Sequence, residues 1–374
     1  MNYSIIRFIL GRMLRIEGLV LLVPALVSLI YQEHSGLTFV LTAAFLMALS
    51  LLLGKRPKNM VFYAKEGFVI VALAWILWSA FGALPFVLSG SIPHFVDAFF
   101  ETVSGFTTTG STILQDIEAL PKGINFWRCL THWIGGMGVL VFVMAVIPLG
   151  NKGAMFLMRA EMPGPTCDKL VPKSRGTAKI LYGMYIFLSC VEVLLLLAGG
   201  MDLYNAVIHT FSTAGTGGFS SMNASIAAFD SAYIDWVITL FMLLFGVNFN
   251  LYYLLLLKNV RAVIKSEELR AYLGVVVAAT AVITINILNL YETPLRALRY
   301  AAFQVASVIT TTGFVTANFD LWPELSKMVI LLLMIIGACA GSTGGGMKVS
   351  RILILAKTIN KEIRQILHPK SVKV

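Results

Sequence analysis

Long runs of apolar residues recur along the whole chain, separated by shorter polar stretches. A helix that crosses a bilayer needs about 20 predominantly apolar residues, and eight runs approach or exceed that length. The pattern therefore predicts eight spans, at residues 16–31, 37–54, 67–89, 124–150, 178–199, 232–257, 273–290 and 325–356.

Three shorter amphipathic segments lie between the third and fourth, the fifth and sixth, and the seventh and eighth spans. They cover residues 94–106, 203–213 and 294–309, and each is too short to cross a bilayer. Each ends in a turn rich in threonine and glycine, which predicts a helix that enters the membrane and returns as extended backbone. Non-helical backbone is tolerated at that depth only where it lines a polar cavity or is covered by protein.

Together these segments predict an all-α polytopic membrane protein. An N-terminal two-helix hairpin at residues 1–60 precedes three repeats, each consisting of a span, a re-entrant pore helix and a second span. The repeats are predicted at residues 61–155, 156–262 and 263–374, and the last contains a glycine-rich intramembrane loop and a basic C-terminal connector.

Composition and charge agree with a membrane location. The 374 residues are 58% hydrophobic and only 13% charged, too few charges for the surface of a soluble protein. The net charge of +10 would suit nucleic acid, but the basic residues cluster in alternate loops, at 55–65, 152–179, 258–270 and 357–373. The positive-inside rule places these loops and both termini in the cytoplasm, and hence the chain in the inner membrane.

The first apolar run follows Arg7, Arg12 and Arg15, as the apolar core of a signal peptide would. No convincing cleavage site follows, and a second apolar run comes at once. We therefore expect a retained first helix.

The three Thr/Gly turns have the residue types that hold a dehydrated alkali cation. Backbone carbonyls replace the water lost by the ion, glycine accepts the backbone angles this requires, and threonine adds a hydroxyl. Each short helix directs its C-terminal end, with about half a negative charge, at the turn. One such turn could simply close a helix; three in equivalent places favour a filter. The predicted ion-binding residues are Thr107, Thr108, Thr109, Gly110, Gly215, Thr216, Gly217, Thr310, Thr311, Thr312 and Gly313.

A glycine-rich segment, residues 337–348, interrupts the eighth span. Three adjacent glycines should break the helix, since each costs about 1 kcal/mol relative to alanine. It is not a phosphate loop, because Met347 separates the last glycine from Lys348. The alternatives are a flexible kink that allows close helix packing and a polar segment that lines a cavity. The residues concerned are Gly341, Ser342, Thr343, Gly344, Gly345, Gly346 and Lys348.

Six segments resemble the Trk/Ktr/HKT superfamily of potassium transporters, most closely its bacterial TrkH-type branch. They are residues 104–112, 126–138, 159–165, 216–220, 303–314 and 337–351. The resemblance implies K⁺ as the transported ion, bound only at the filter and without a covalent cofactor. It makes the glycine-rich segment a gate beneath the filter. A glycine in each filter, here Gly110, Gly217 and Gly313, is associated in that family with preference for K⁺.

The resemblance also implies partners. These are membrane lipid, a second copy in a homodimer, and a cytosolic nucleotide-binding regulatory subunit of the TrkA type; nucleic acid is not among them. The family has four repeats, and only three are recognisable here. We therefore expect a fourth to be truncated or supplied by another chain, and a truncated, non-conducting fragment is one alternative function.

Two other functions compete with potassium uptake. A Na⁺- or H⁺-coupled symporter would be supported by inverted repeats, whereas these repeats run in the same orientation. An intramembrane enzyme would need a motif such as His-Glu-x-x-His, a Ser/His pair or an Asp pair at membrane depth. The sequence contains none of these, so we expect a transporter and not an enzyme.

Overall fold

The computed structural model describes residues 1–54, 57, 63–138 and 174–367, and in these residues the regular structure is helical throughout. Three helices form the N-terminal part: α1 (Tyr3–Val20), α2 (Leu22–Ile30) and α3 (Gly36–Leu53). The arginines expected before the first apolar run lie inside α1 instead. Ile5, Phe8 and Ile9 explain this, because they form a buried stripe at helical spacing that extends the helix to Tyr3.

The first repeat contains α4 (Ala64–Gly82), α5 (Leu84–Leu88), α6 (Phe95–Phe106) and α7 (Lys122–Gly136). The glycine that ends α4 lets three helices meet closely. A Cβ at Gly82 would lie 3.0 Å from Thr102 and 3.2 Å from Trp127. The Trp127 indole donates a hydrogen bond to the Gly82 carbonyl (2.9 Å).

The second repeat contains α8 (Ser174–Ala198), α9 (Leu203–Gly215), a 3₁₀ turn (Ser225–Phe229), α10 (Ala232–Phe245) and α11 (Phe249–Leu256). The hydroxyl or carboxylate of the residue before each of α9 and α10 caps its first turn: Asp202 accepts from Asn205 N, and Ser231 from Ile234 N. The sixth predicted span is not one helix. It bends by 90° between α10 and α11.

The third repeat contains α12 (Val260–Ile264), α13 (Glu267–Ile287), α14 (Pro294–Ile309), α15 (Glu324–Ile336) and α16 (Val349–Leu367), with short 3₁₀ turns after α13 and before α15. Thr293 caps α14 by accepting from Arg296 N, and Pro294 fits the first turn, where no amide partner is needed. The predicted boundary between residues 262 and 263 falls inside α12.

Within the described residues, five helical segments are long and apolar enough to span a membrane: Tyr3–Ile30, Gly36–Leu53, Lys65–Leu88, Lys179–Ala198 and Glu267–Leu290. Counted as one span, the bent pair α10–α11 makes a sixth. The eighth predicted span breaks after Ile336, as the glycines predict. The fourth continues beyond Gly138 into residues 139–173, which lie outside the described part of the chain. So do most of the basic loops at 55–65 and 152–179, the motif at 159–165 and the boundaries near 60 and 155.

Successive repeats pack through the short helices. The short helix α9 packs against α7 of the preceding repeat, and α14 packs against α10 in the same relation. This places the C-terminal ends of α6, α9 and α14 beside one another.

Candidate ion-conducting site

The helices α6, α9 and α14 end in the same hydrogen-bonded turn. In each, an amide donates back to the carbonyl oxygen of a serine five residues earlier. The pairs are Thr109 to Ser104 (2.9 Å), Gly217 to Ser212 (2.9 Å) and Thr312 to Ser307 (2.8 Å). These bonds put residues 107–110, 215–218 and 310–313 in register, and we call them the first, second and third turns.

Each turn has left-handed backbone at its second and fourth residues. The φ angles are 53° and 76° at Thr108 and Gly110, 55° and 79° at Thr216 and Gly218, and 60° and 87° at Thr311 and Gly313. The residue between them is not left-handed, so the hand alternates along the turn. Such alternation turns neighbouring peptide groups toward one side. A left-handed threonine costs about 1–2 kcal/mol, so the surrounding structure must impose this shape.

The register corrects one assignment in the second turn. Gly218, and not Gly217, has the left-handed backbone of Gly110 and Gly313. Gly217 instead matches Thr109 and Thr312. Gly218 is therefore a residue that the sequence analysis missed. The available signal was the distance from the serine, because the left-handed glycine follows it by six residues in all three turns.

The three turns pack against one another in chain order. A Cβ at Gly110 would overlap the carbonyl oxygen of Gly217, and a Cβ at Gly218 would overlap that of Thr312. The second turn thus lies between the first and the third. In agreement, Thr216 is fully buried, whereas Thr109 and Gly313 are exposed. Glycine at these contacts permits the close approach of neighbouring backbones.

Threonine and serine hydroxyls fix the shape of the turns. The Thr107 hydroxyl donates to the Val103 carbonyl (2.7 Å), and the Thr310 hydroxyl donates to the Ala306 carbonyl (2.6 Å). Gly215 takes this position in the second turn, where a Cβ would overlap the His132 carbonyl. The serines before the first and third turns bond across them: Ser104 donates to Ser111 O (2.6 Å) and Ser307 to Phe314 O (2.6 Å).

The loops that leave the first and second turns are joined at Asn223. The Asn223 side-chain oxygen accepts from Ile117 N (2.7 Å), and the side-chain nitrogen donates to Asp116 (2.9 Å). The backbone N–H of Asn223 donates to the Glu118 carboxylate (3.0 Å). The hydrogen bond from Asn223 lowers the pKa of Asp116. A depressed carboxyl pKa favours the ionised form, so this junction holds above the ordinary Asp pKa and weakens only as pH falls through the lowered value.

The glycine-rich segment lies directly against the third turn. The Gly345 amide donates to the Thr311 hydroxyl (2.7 Å). A Cβ at Gly344 would lie 3.0 Å from the Thr310 carbonyl oxygen. Lys348, itself left-handed at φ 76°, donates from its ammonium group to the Gly344 carbonyl. Within the segment, the Ser342 hydroxyl donates to Cys339 O (2.6 Å).

The same segment also fills the bend between α10 and α11. Cys339 N donates to Gly246 O (3.1 Å), and Phe249 N donates to Gly341 O (3.0 Å). The Thr343 hydroxyl donates to Phe245 O (3.2 Å). Two helix interruptions in different repeats therefore satisfy each other's free backbone groups, as buried polar backbone requires. The bend is a second feature that the sequence analysis missed.

The N-terminus of α13 contacts both the glycine-rich segment and α16, the helix that follows that segment. The Glu268 carboxylate accepts from Ala340 N (2.6 Å) inside the glycine-rich segment. The neighbouring Glu267 forms an ion pair with Lys357 of α16. One end of α13 therefore contacts both the segment and the helix beyond it.

The structure brings the predicted residues together in two places. The eleven residues predicted for the filter form the three adjoining turns together with Gly218, and the seven of the glycine-rich segment lie against the third turn and the bend. Among the described residues, no group of three or more His, Cys, Asp or Glu could hold a metal ion. The oxygens at the turns are those of backbone carbonyls and hydroxyls.

Comparison with known proteins agrees with this architecture over the whole chain. The TrkH family, described as cation transport protein, matches residues 37–374. The Trk system potassium uptake protein TrkH of Escherichia coli (strain K12) is 39% identical over 382 residues, covering 100% of this chain and 78% of that protein. The Trk system potassium uptake protein TrkG of the same strain is 32% identical, covering 99% and 78%.

A solved structure shows the same fold. The crystal structure of the potassium transporter TrkH from Vibrio parahaemolyticus matches with a TM-score of 0.88 and 34% sequence identity, covering 100% of this chain and 78% of that one. This match confirms the predicted class, a helical membrane protein with pore-helix repeats. From the family match and these relatives, the chain belongs to the TrkH family of cation transport proteins.

Proposed function

We propose that this protein takes up K⁺ through a pore whose ion ligands are the three turns. The observation that carries the proposal is their shared backbone: three adjoining turns, each with alternating hand, at the ends of three short helices. The names of the relatives, potassium uptake proteins and a potassium transporter, support K⁺ as the ion.

In this proposal K⁺ is the only bound ion, and no covalent cofactor takes part. The carbonyl oxygens of residues 107–110, 215–218 and 310–313 replace its hydration shell. The helix ends α6, α9 and α14 add a favourable field, because the C-terminal end of a helix carries partial negative charge. The hydroxyls of Thr107 and Thr310 are already bonded to helix carbonyls, so they shape the turns and leave ion contact to the backbone.

We further propose that the glycine-rich segment is the gate. It lies between the third turn and the bend, and is attached by the hydrogen bonds of Cys339, Ala340, Gly341, Thr343 and Gly345 described above. Glycine provides backbone freedom at Gly337, Gly341 and Gly346, all of which have left-handed φ. Such a segment can move without unfolding a continuous helix.

The remaining features of the proposal concern its surroundings. The basic residues Lys258, Arg261 and Lys265 near α12 favour a cytoplasmic location for that end, with both termini on the same side of the inner membrane. We propose a homodimer, and a cytosolic nucleotide-binding subunit of the TrkA type that docks on this basic end. The repeats at 61–155, 156–262 and 263–374 are the proposed units of the pore.

Flux measurements test the proposal. The purified full-length protein in lipid vesicles should take up ⁸⁶Rb⁺ or K⁺ faster than ²²Na⁺, without an imposed proton gradient. The Gly110→Ser variant should take up both ions at more similar rates. Equal uptake of K⁺ and Na⁺ by the unmodified protein would refute the potassium filter. Uptake that requires a proton or sodium gradient would instead indicate coupled symport.

A further inference from the structure

A fully buried ion pair lies behind the first and second turns. Glu101 on α6 and Arg128 on α7 are 2.6 Å apart, from Oε1 to Nε, and their side chains are 0% and 1% exposed. Ionised side chains at membrane depth are costly. A buried ion pair persists only where further hydrogen bonds satisfy its remaining polar atoms, so its other partners indicate its role.

Glu101 holds the backbone that leaves the first turn. Its Oε1 accepts from the Thr112 hydroxyl (2.9 Å), and its Oε2 accepts from Ile113 N (3.1 Å). These residues follow Gly110 by two and three positions. The carboxylate therefore fixes where the first turn ends relative to its own helix.

Arg128 holds the backbone that leaves the second turn. Its guanidinium carbon is 3.5 Å from the centre of the Phe219 ring, and Nη1 donates to Ser220 O (3.3 Å). Phe219 directly follows Gly218, and its other face stacks on His132 at 4.0 Å. The planar guanidinium can bond and stack at once, which an ammonium group cannot.

The network continues to the second short helix. His209 occupies on α9 the position that Glu101 occupies on α6, three residues before the aligned serine. It is also buried, and its Nε2 is 2.8 Å from the Ser220 hydroxyl. Glu101 thus bonds the chain after the first turn, and His209, from the equivalent place, bonds the Ser220 hydroxyl after the second. Arg128 links the two by its bonds to Glu101 and to the Ser220 carbonyl.

We propose that the Glu101–Arg128 pair is a positioning device that sets the spacing between the first and second turns, and thereby the discrimination between K⁺ and Na⁺. This inference rests on the proposed filter. Carbonyl oxygens distinguish the two ions only while their number and spacing are held. The ion pair connects α6 with α7, and through its hydrogen bonds it holds the backbone that leaves the first and second turns. Weakening the pair therefore lets the two turns move relative to each other.

Two mild variants test this in the full-length protein in lipid vesicles. Arg128→Lys keeps the charge but loses the stack and the second hydrogen bond, and should lower the K⁺/Na⁺ flux ratio about tenfold, as expected for a lost charge-assisted contact. Thr112→Val keeps the ion pair and removes both bonds of the Thr112 hydroxyl, the one it donates to Glu101 and the one it accepts from Leu114 N (3.1 Å), and should lower the ratio about threefold. Thr112 is exposed, so this variant folds even if Arg128→Lys does not.

A second ion pair provides the matched control. Asp235 on α10 and Arg299 on α14 are 3.4 Å apart and largely buried, at 7% and 13% side-chain exposure. Their other contacts, with Thr239 and Tyr300, lie outside the three turns. Asp235→Asn should lower the melting temperature and leave the K⁺/Na⁺ ratio unchanged. A purely structural role for Glu101–Arg128 would give the same result for its own variants.

Measurement of Gly110→Ser beside these variants separates the two proposals. If Gly110→Ser lowers the ratio while folded Arg128→Lys and Thr112→Val do not, the positioning role is wrong and the filter stands. If Arg128→Lys fails to fold, an unchanged ratio in Thr112→Val alone overturns the positioning role. If Gly110→Ser also leaves the ratio unchanged, the filter proposal itself fails.

Discussion

Single residues at the turns act through the backbone. Gly110 and Gly218 both have a left-handed φ. At both, a carbonyl oxygen of the next turn occupies the position that a Cβ atom would take. Any side chain there must strain its own backbone and push the neighbouring turn away. Both effects move carbonyl oxygens that lie in the proposed filter.

Replacing Gly110 with serine should therefore lower the K⁺/Na⁺ flux ratio by about tenfold, equivalent to about 1.4 kcal/mol. Gly218→Ser should do the same, because its environment matches. Gly200→Ala is the control: Gly200 also has a left-handed φ of 85°, but no described atom lies within 4 Å of a Cβ there. That variant should lose a little thermal stability and keep its ratio. An unchanged ratio in both serine variants would remove these glycines from the filter.

From the sequence the turns were located but the second one was misaligned, although its distance from the serine was visible there. Two adjacent glycines, Gly217 and Gly218, follow Thr216, and the Thr-Gly dipeptide favoured the wrong member of the pair. Alignment on the serine depends on a hydrogen bond between residues five apart, which the residue types do not display. The Glu101–Arg128 contact was equally hidden, because 27 residues separate its members.

At the scale of elements, short helices were easier to predict than long ones. The observed ends of α6, α9 and α14 lie within two residues of the predicted ends. Their amphipathic pattern and the polar residues near their first turns are local signals, which the sequence displays directly. The bend at residues 246–248 was not predicted, since the apolar run continues through it. Its free backbone groups are satisfied by Cys339 and Gly341, about ninety residues away. A long-range partner of this kind cannot be read from local periodicity.

The bond between Glu268 and Ala340 N offers a test of the gate. Glu268→Ala removes the acceptor, which should free the glycine-rich segment and raise K⁺ flux about tenfold, the population shift expected from a lost bond to a charged group. Glu268→Gln retains a side-chain oxygen at the same place and should stay near the unmodified rate. The K⁺/Na⁺ ratio should change in neither variant. A fall in selectivity at constant flux would instead make the segment a support of the filter.

At the scale of the whole molecule, charge divides the two ends of the helix bundle. Lys258, Arg261 and Lys265 lie around α12 at one end, while Asp116 and Glu118 lie in the loop after the first turn at the other. This division, together with the apolar faces of the spans, is the part of the fold that the sequence predicts most directly. It depends on composition over long stretches and not on individual contacts.

Cysteine labelling tests the proposed orientation. In a background with Cys129, Cys167, Cys190 and Cys339 replaced by serine, Glu118→Cys should react with a membrane-impermeant maleimide added to intact cells. Lys265→Cys should react only after the membrane is opened. Both positions are exposed, so lack of reaction reflects the membrane barrier. Labelling of Lys265→Cys in intact cells would reverse the orientation.

In the proposed filter, the transported ion would also help to hold the bundle together, because the second turn lies between the other two. A cation held by oxygens of adjoining turns bridges segments that are 100 or so residues apart in sequence, and a ligand that binds only the folded state raises its stability, by about 2.7 kcal/mol at a hundredfold excess over the dissociation constant. The protein should therefore melt several degrees higher in K⁺ than in N-methylglucamine of equal ionic strength. Gly110→Ser, which parts the first two turns, should reduce that difference; equal melting temperatures of the unmodified protein in the two salts would contradict such linkage.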